Sequence, residues 1–362
     1  MFSFYFNQST KPVNQNTSTI GDLGNLNLSY SNIIHLDKDF SNNSHFISVE
    51  FPWTLESIAN DIFMNCINLT SITLPNSVTS IGKRCFMRCS SLVYISLSTE
   101  LREIPYGCFE GCSIKKIHIP DSITKIAKCA FNKCFNLDEI ILPDSIHSLG
   151  TCCFSECTNL VSVKLPKGLS KIPNECFYEC SLKNIELPSN LVSIGDYAFY
   201  NNGLEQIHLP DSVTFIGSHA FAENEFNSIN IPTGLKELHA GAFVYCSYMN
   251  RDLISLPTTL TFIGLRAFSH TANHQRIEMA KRLNIDLDEL TDPDDNDITL
   301  HPDSTELFLR EKLHTNNWNY SYNEEIYPDN FDLDELEYGI QFTNVINEED
   351  EINSDLSFEV IN

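Results

Sequence analysis

The sequence is short of positive charge, of glycine and of long apolar runs. Its 23 Lys and Arg stand against 48 Asp and Glu, a formal charge of −25. So acidic a chain repels phosphate backbones and anionic lipid, which argues against nucleic acid or a membrane surface as partner. No apolar window of about 18 residues is present to span a bilayer. The start, Met1 to Gln8, lacks the basic and apolar regions of a secretory signal. A cytoplasmic location is therefore expected, with the nucleus or the cell surface as alternatives. No Walker Gly-Lys-Ser/Thr, no Gly-x-Gly-x-x-Gly after a strand and no His-Glu-x-x-His occurs, so the common nucleotide and metallohydrolase sites have no support. No enzymatic activity, cofactor or metal is expected.

What is present is enough to fold: 42% of the residues are hydrophobic, which excludes disorder throughout. The charge is concentrated at one end. Residues 286 to 362 hold 23 of the acids against two bases, Arg310 and Lys312. A nearly neutral body thus precedes a strongly acidic tail, and the two follow different rules.

The body repeats itself every 22 to 23 residues. Leu69-Thr-Ser-Ile72-Thr-Leu74-Pro75, Leu137-Asp-Glu-Ile140-Ile-Leu142-Pro143 and Leu204-Glu-Gln-Ile207-His-Leu209-Pro210 are one phrase written again. Its last position reads Pro52, Pro75, Ser98, Pro120, Pro143, Pro166, Pro188, Pro210, Pro232 and Pro257. Eleven residues further on stands a phenylalanine each time: Phe63, Phe86, Phe109, Phe131, Phe154, Phe177, Phe199, Phe221, Phe243 and Phe268. That interval is constant, and all length variation falls between the Phe and the next strand, as in Cys112-Ser113-Ile114 against Cys89-Ser-Ser-Leu92. The constant part is expected to be packed and the variable part a surface loop.

Within a unit, apolar alternation as at Ile95 and Leu97 predicts a short strand ended by the Pro position, which cannot donate to a sheet ladder. Ile81, Cys85 and Cys89 fall at i, i+4 and i+8, which predicts a single helical or 3₁₀ turn over Gly82 to Cys89. A unit this short cannot cover its own apolar face, whereas stacking places Phe86 on Phe109 in a continuous column. The expected fold is an α/β repeat: a leucine-rich-repeat solenoid of ten units over residues 46–271, with a parallel β-sheet on the concave face and short helical or 3₁₀ turns opposite.

The repeated phrase Leu-x-x-Ile-x-Leu-Pro-x-Ser-Val-Thr-x-Ile-Gly-x-x-Ala/Cys-Phe-x-x-Cys, as in Leu69 to Cys89, resembles the BspA-type leucine-rich repeats of bacterial surface antigens. The resemblance implies an adhesion or protein-interaction role and carries no catalytic motif to transfer.

Thirteen cysteines first suggest metal or redox chemistry, but the repeat accounts for their places. Cys66, Cys89, Cys112, Cys134, Cys157, Cys180 and Cys246 each lie three residues after a column Phe, where other units have Asn202, Asn224 and Thr271. Asn cannot replace a disulfide partner; it can replace a small buried group that bonds the backbone of the neighbouring coil. Cysteines just before the Phe alternate with Ala, as small buried hydrophobes do.

The outward strand positions form the expected recognition surface. They include Tyr94, Lys116, His118, Glu139, Ile141, Lys164, Glu186 and His208, a face of mixed charge with an exposed aromatic and an exposed isoleucine, suited to a protein partner. His118 and His208 lie four repeats apart, too far to share a metal. The whole is expected to act as a monomeric, non-catalytic interaction scaffold. A surface adhesin, and a nuclear regulator working through its tail, are the alternatives. Residues 1–17 are expected to be disordered, 18–45 to cap the N-terminal end, 272–290 to form a capping helix with Ile277, Ala280, Leu283 and Leu287 on one face, and 291–362 to be an acidic, partly disordered tail.

Overall fold

The structure, a computed structural model, describes residues 19–20, 24–246, 256–264 and 267–268. All belong to one compact unit, Met1–Asn317; a second, Trp318–Asn362, lies outside the described residues. The expected disordered N-terminus 1–17, capping helix 272–290 and acidic tail 291–362 also fall outside them.

The described residues form a stack of coils, each with two short strands. The first strand spans Asn25–Asn27, Ser48–Glu50, Ser71–Thr73, Tyr94–Ser96, Glu139–Ile141 and Ser162–Lys164. Its central residue points inward and the flanking two outward, as Ile72 does between Ser71 and Thr73. The Pro position then opens a turn: its carbonyl accepts from the amide three residues on, as Pro75 O does from Val78 N at 3.0 Å. The second strand follows as a dipeptide, from His35–Leu36 through Ser80–Ile81 to Phe262–Ile263, eleven in all. Neighbouring coils pair in parallel and in register, Ser71 on Tyr94 in the first row and Ser57 on Ser80 in the second.

The expectation for the third side is corrected. No helix occurs among the described residues, and the segment around each Phe is instead a double turn. The residues two before and two after the Phe are left-handed in coil after coil: Asp61 and Asn65 (φ 62° and 58°) about Phe63, Arg84 and Arg88 (54° and 59°) about Phe86, Cys129 and Lys133 (56° and 59°) about Phe131. A backbone alternating between right- and left-handed residues cannot continue a helix. It sends its amides sideways: Asp61, Phe63 and Asn65 N–H donate to the carbonyls of Lys83, Cys85 and Met87 in the next coil at 3.0, 2.9 and 2.8 Å. Spacing alone places Ile81, Cys85 and Cys89 on one inner face; it does not reveal that Ile81 ends a strand. At Gly82 the coils approach so closely that a Cβ would stand 2.3 Å from the Ala59 carbonyl carbon, which explains the Ile-Gly pair.

Between the sides lies one continuous core. The Phe rings are buried and stack face to face with centroids 5.2 to 5.7 Å apart from Phe40 to Phe268. Phe40 extends the column beyond the ten units. Ser29 takes the Pro place, and Asn25–Asn27 and His35–Leu36 continue both strand rows, so the 18–45 stretch carries a further coil. Ahead of it, Thr19–Ile20 pairs antiparallel with Asn25–Asn27 and covers the strand edge that would otherwise be open.

Beside the rings runs a ladder of hydrogen bonds. From Phe40 to Phe221 each Phe carbonyl accepts from the side chain one coil later: Cys89 Sγ to Phe63 O and Cys112 Sγ to Phe86 O, both 3.1 Å, and Cys157 Sγ to Phe131 O, 3.2 Å. Asn202 and Asn224 do the same through Nδ2, to Phe177 O and Phe199 O at 2.7 Å.

Loop length bears on two of the positions where asparagine replaces cysteine and accompanies every loss of the first strand among the described coils. In long loops the apolar residue ending the loop closes a turn, Leu69 N to Cys66 O at 3.0 Å and Leu92 N to Cys89 O at 2.9 Å. The loops after Cys112, Cys180, Asn202 and Asn224 are one residue shorter and cannot close it. In two of them an Asn in the following coil takes the orphaned amide, Leu182 N to Asn202 Oδ1 and Leu204 N to Asn224 Oδ1; cysteine offers no comparable acceptor. The first strand is absent in these four coils, at 116–118, 184–186, 206–208 and 228–230, with a single bridge between His208 and Asn230.

Three outcomes follow. Phe131→Ala, in the middle of the column, should lose about 3–5 kcal/mol in chemical denaturation. Asn202→Ala, which strands the Phe177 carbonyl and the Leu182 amide, should lose about 1–3 kcal/mol, and Asn202→Cys, which restores the donor alone, should lose less. All thirteen cysteines are free, and only Cys129 and Cys152 are partly exposed. Burial pushes the Cys66 thiol up to about 11 and Cys134 up to about 12. A thiol-specific aromatic disulfide at pH 8 should therefore label at most those two in the native protein and the rest only on unfolding.

Candidate partner-binding face

The first-strand row displays the eight residues expected to meet a partner, and all of them are exposed: Tyr94, Lys116, His118, Glu139, Ile141, Lys164, Glu186 and His208. Their placement follows from the pleat. With Ile95, Ile117, Ile140 and Val163 buried in the central column, the residues on either side must face solvent. Tyr94 and Ile141 keep 57% and 62% of their surface accessible, large values for bulky apolar side chains.

The row brings some of these residues together and separates others. Lys116 forms an ion pair with Glu139 across adjacent coils. That contact and its hydrogen bond with Glu139 hold the ammonium above its usual range. Ile141 pairs in register with Lys164. Tyr94, Lys116, His118, Glu139, Ile141 and Lys164 thus occupy four consecutive coils, while Glu186 and His208 stand on the two after them.

Backbone order differs within the group. Tyr94, Glu139, Ile141 and Lys164 sit on hydrogen-bonded strands, whereas Lys116, His118, Glu186 and His208 sit in the shorter coils that lack them. The face is therefore not a uniform sheet.

Along the edge leading into the strands, Val93, Lys115, Asp138 and Val161 line a shallow groove of about 630 Å³ with Ser113, Asn136, Thr158, Asn159 and Ser181. Lys115 Nζ stands 3.9 Å from Asp138 Oδ2, and Asp138 Oδ1 is buried without a hydrogen-bond partner. Position in the repeat did not single these residues out, because the groove arises from loop shape across several coils. Among the described residues no group of three or more His, Cys, Asp or Glu could hold a metal ion, and no helix is long and apolar enough to cross a membrane.

The comparisons agree with this architecture. The profile of the "BspA type Leucine rich repeat region" matches residues 18–138, 124–250 and 170–286. A leucine-rich repeat protein from Bacteroides ovatus ATCC 8483, solved by crystallography, is 25% identical with a TM-score of 0.50, over 67% of this chain and 73% of that one. The T. pallidum leucine rich repeat protein TpLRR is 27% identical over 56% of this chain and 83% of its own, with a TM-score of 0.41. A leucine rich cell surface protein from Faecalibacterium prausnitzii A2-165 is 23% identical over 64% and 80%, with a TM-score of 0.37. No protein of curated description matches the sequence. With the profile spanning well over half of the residues and the coil stack on the page, the chain belongs to the BspA-type leucine-rich repeat family.

Proposed function

We propose that this protein is a non-catalytic recognition module that holds a protein partner on its first-strand face, centred on Tyr94, Lys116, Glu139 and Ile141. The observation that carries the reading is the exposure of Tyr94 and Ile141 on a backbone whose other large apolar residues in that row are buried. A tyrosine offers wide contact area at little conformational cost, and an isoleucine fills a pocket. Between them the Lys116–Glu139 pair supplies polar contacts that set orientation more than affinity. Lys164 beside Ile141, with Glu186 and His208 beyond, belongs to a polar rim, and His118 lies beside Lys116 within the central patch.

The family has members whose repeats serve adhesion, so a partner on a cell surface is one form of the same reading.

The test uses the full chain as bait. Tyr94→Ala combined with Ile141→Asp should abolish capture of partner proteins from the native cell, while the thermal midpoint stays within about 2 °C, since exposed substitutions away from packing change stability little. Captured proteins that persist undiminished with the double variant would place recognition elsewhere.

A further inference from the structure

The double-turn edge, which follows the second strand in each coil, changes character along the stack. Its outward positions lie from three residues before each Phe to two after. In the earlier coils they carry Lys83, Arg84, Arg88, Lys128 and Lys133, with ion pairs from Arg84 to Asp61 at 2.7 Å and from Lys133 to Glu156 at 3.5 Å. From Glu156 to Tyr245 the same positions hold Glu156, Glu175, Glu179, Asp196 and Glu223 and no Lys or Arg.

Aromatic side chains gather there. Where other coils place Met64, Met87, Asn132 or Ser155 just after the Phe, two successive coils have Tyr178 and Tyr200, whose rings stack at 5.0 Å. Where other coils have Asp61, Arg84 or Gly107 two before it, the coil of Tyr200 and the one after it have Tyr197 and His219, stacked at 4.9 Å. Tyr197 also meets Tyr178 and Tyr200 at 6.4 and 5.8 Å. The four rings are half-buried and lie outside the Phe column, so the coil does not need them to close. Tyr200 donates to Glu223 at 2.5 Å, and Tyr178 bonds to Glu179, which fixes two rings with carboxylates at their margins. Burial holds Tyr178 and Tyr200 above the usual phenol range, which keeps both neutral, and His219 below the usual imidazole range, which disfavours its cationic form. His219 Nδ1 is buried without a partner.

Rings held as two stacked pairs tilted against each other, carboxylates beside them and an absence of Lys and Arg at the outward positions of that edge are the chemistry that receives a guanidinium, which stacks on aromatic faces while its N–H groups bond carboxylates. We propose that this patch, built on Tyr178, Tyr197, Tyr200, Glu179 and Glu223, docks an arginine-bearing peptide segment of a protein partner. The site is separate from the first-strand face and does not depend on that face being the main recognition surface.

The acidic stretch after residue 286 also attracts cations, so the experiment must report position. Full-length protein carrying 3-fluorotyrosine, its ¹⁹F resonances assigned by single Tyr→Phe variants, is titrated at physiological salt with an Arg-Gly-Arg-Gly-Arg peptide. A matched peptide with citrulline for arginine serves as the neutral control. The resonances of Tyr178, Tyr197 and Tyr200 should shift and saturate with the arginine peptide and remain still with the citrulline one. Glu179→Gln with Glu223→Gln, which keeps the shape of both side chains, should weaken that response about tenfold. The proposal is overturned by the absence of a shift at these three tyrosines, by shifts confined to Tyr320, Tyr322, Tyr327 and Tyr338, or by a response that the two glutamines leave intact.

Discussion

The stack rests on the fit between a flat ring and a backbone that reverses its handedness on either side of it. Each Phe from Phe63 to Phe243 lies between two left-handed residues, and that alternation turns three peptide groups per coil along the stacking direction, where they bond the next coil. The left-handed conformation costs a non-glycine residue roughly 1–2 kcal/mol. Only three of the eighteen such sites flanking Phe63 to Phe243 are glycine: Gly107, Gly111 and Gly241. The rest are Asp, Asn, Arg, Cys, Lys, Glu, Tyr and His. Burying an aromatic ring removes about 150–250 Å² from water, which at about 25 cal/mol per Å² is about 4–6 kcal/mol, enough to offset the roughly 2–4 kcal/mol that two such residues cost. Ring burial therefore dictates the backbone, and the left-handed sites are left free to carry any outward side chain. That freedom lets the outer edge be basic in one half and acidic and aromatic in the other.

Much of this was legible because the Phe interval never varies. A constant eleven-residue spacing from the Pro position identifies the packed part of the coil, and the exchange of Cys with Asn three residues later points to a backbone-bonding role rather than to disulfides. The backbone path was less legible. A set of inward residues at i, i+4 and i+8 is satisfied equally by one helical turn and by a two-residue strand followed by a double turn, since both put the same side chains inside. Handedness at Arg84 or Cys129 leaves no mark in residue type, because neither favours the left-handed region. The coil containing Phe40 is hard to read for a related reason: Ser29 stands for proline, Asn43 for cysteine and Asp37 for the glycine after Leu36, so the phrase is broken at its most conspicuous letters.

For the candidate face, alternation around Ile95 and Ile140 was enough to expose Tyr94 and Ile141. The interruption of the sheet leaves no mark in the alternation itself, although its cause is a plain count of residues. A loop of one residue fewer between Cys112 and Ile114 cannot close the turn that Leu92 closes on Cys89, and the strand that would follow loses its ladder. The charged edge patch had no signal in the repeat phrase at all. It depends on which residues occupy unconstrained outward sites in neighbouring coils, information that becomes spatial only once the coils are stacked in register.

These two levels of constraint bear on how one repeated coil can recognise a particular partner. A strictly periodic face presents the same contacts at every step, and a partner could slide along it by one coil with little change in energy, as strands without a fixed register do. Here the periodicity is broken twice. Among the described residues, short coils remove the strand at 116–118 and again at 184–186, 206–208 and 228–230, so the only described three-residue pairing beyond Tyr94–Ser96 is that of Glu139–Ile141 with Ser162–Lys164. The exposed Tyr94 and Ile141 then mark single positions in the row. A partner shifted by one coil would exchange Ile141 for His118 or Lys164 and lose an apolar contact for a solvated one. The invariant interior supplies rigidity, and one-residue changes in loop length, which the interior tolerates, supply register.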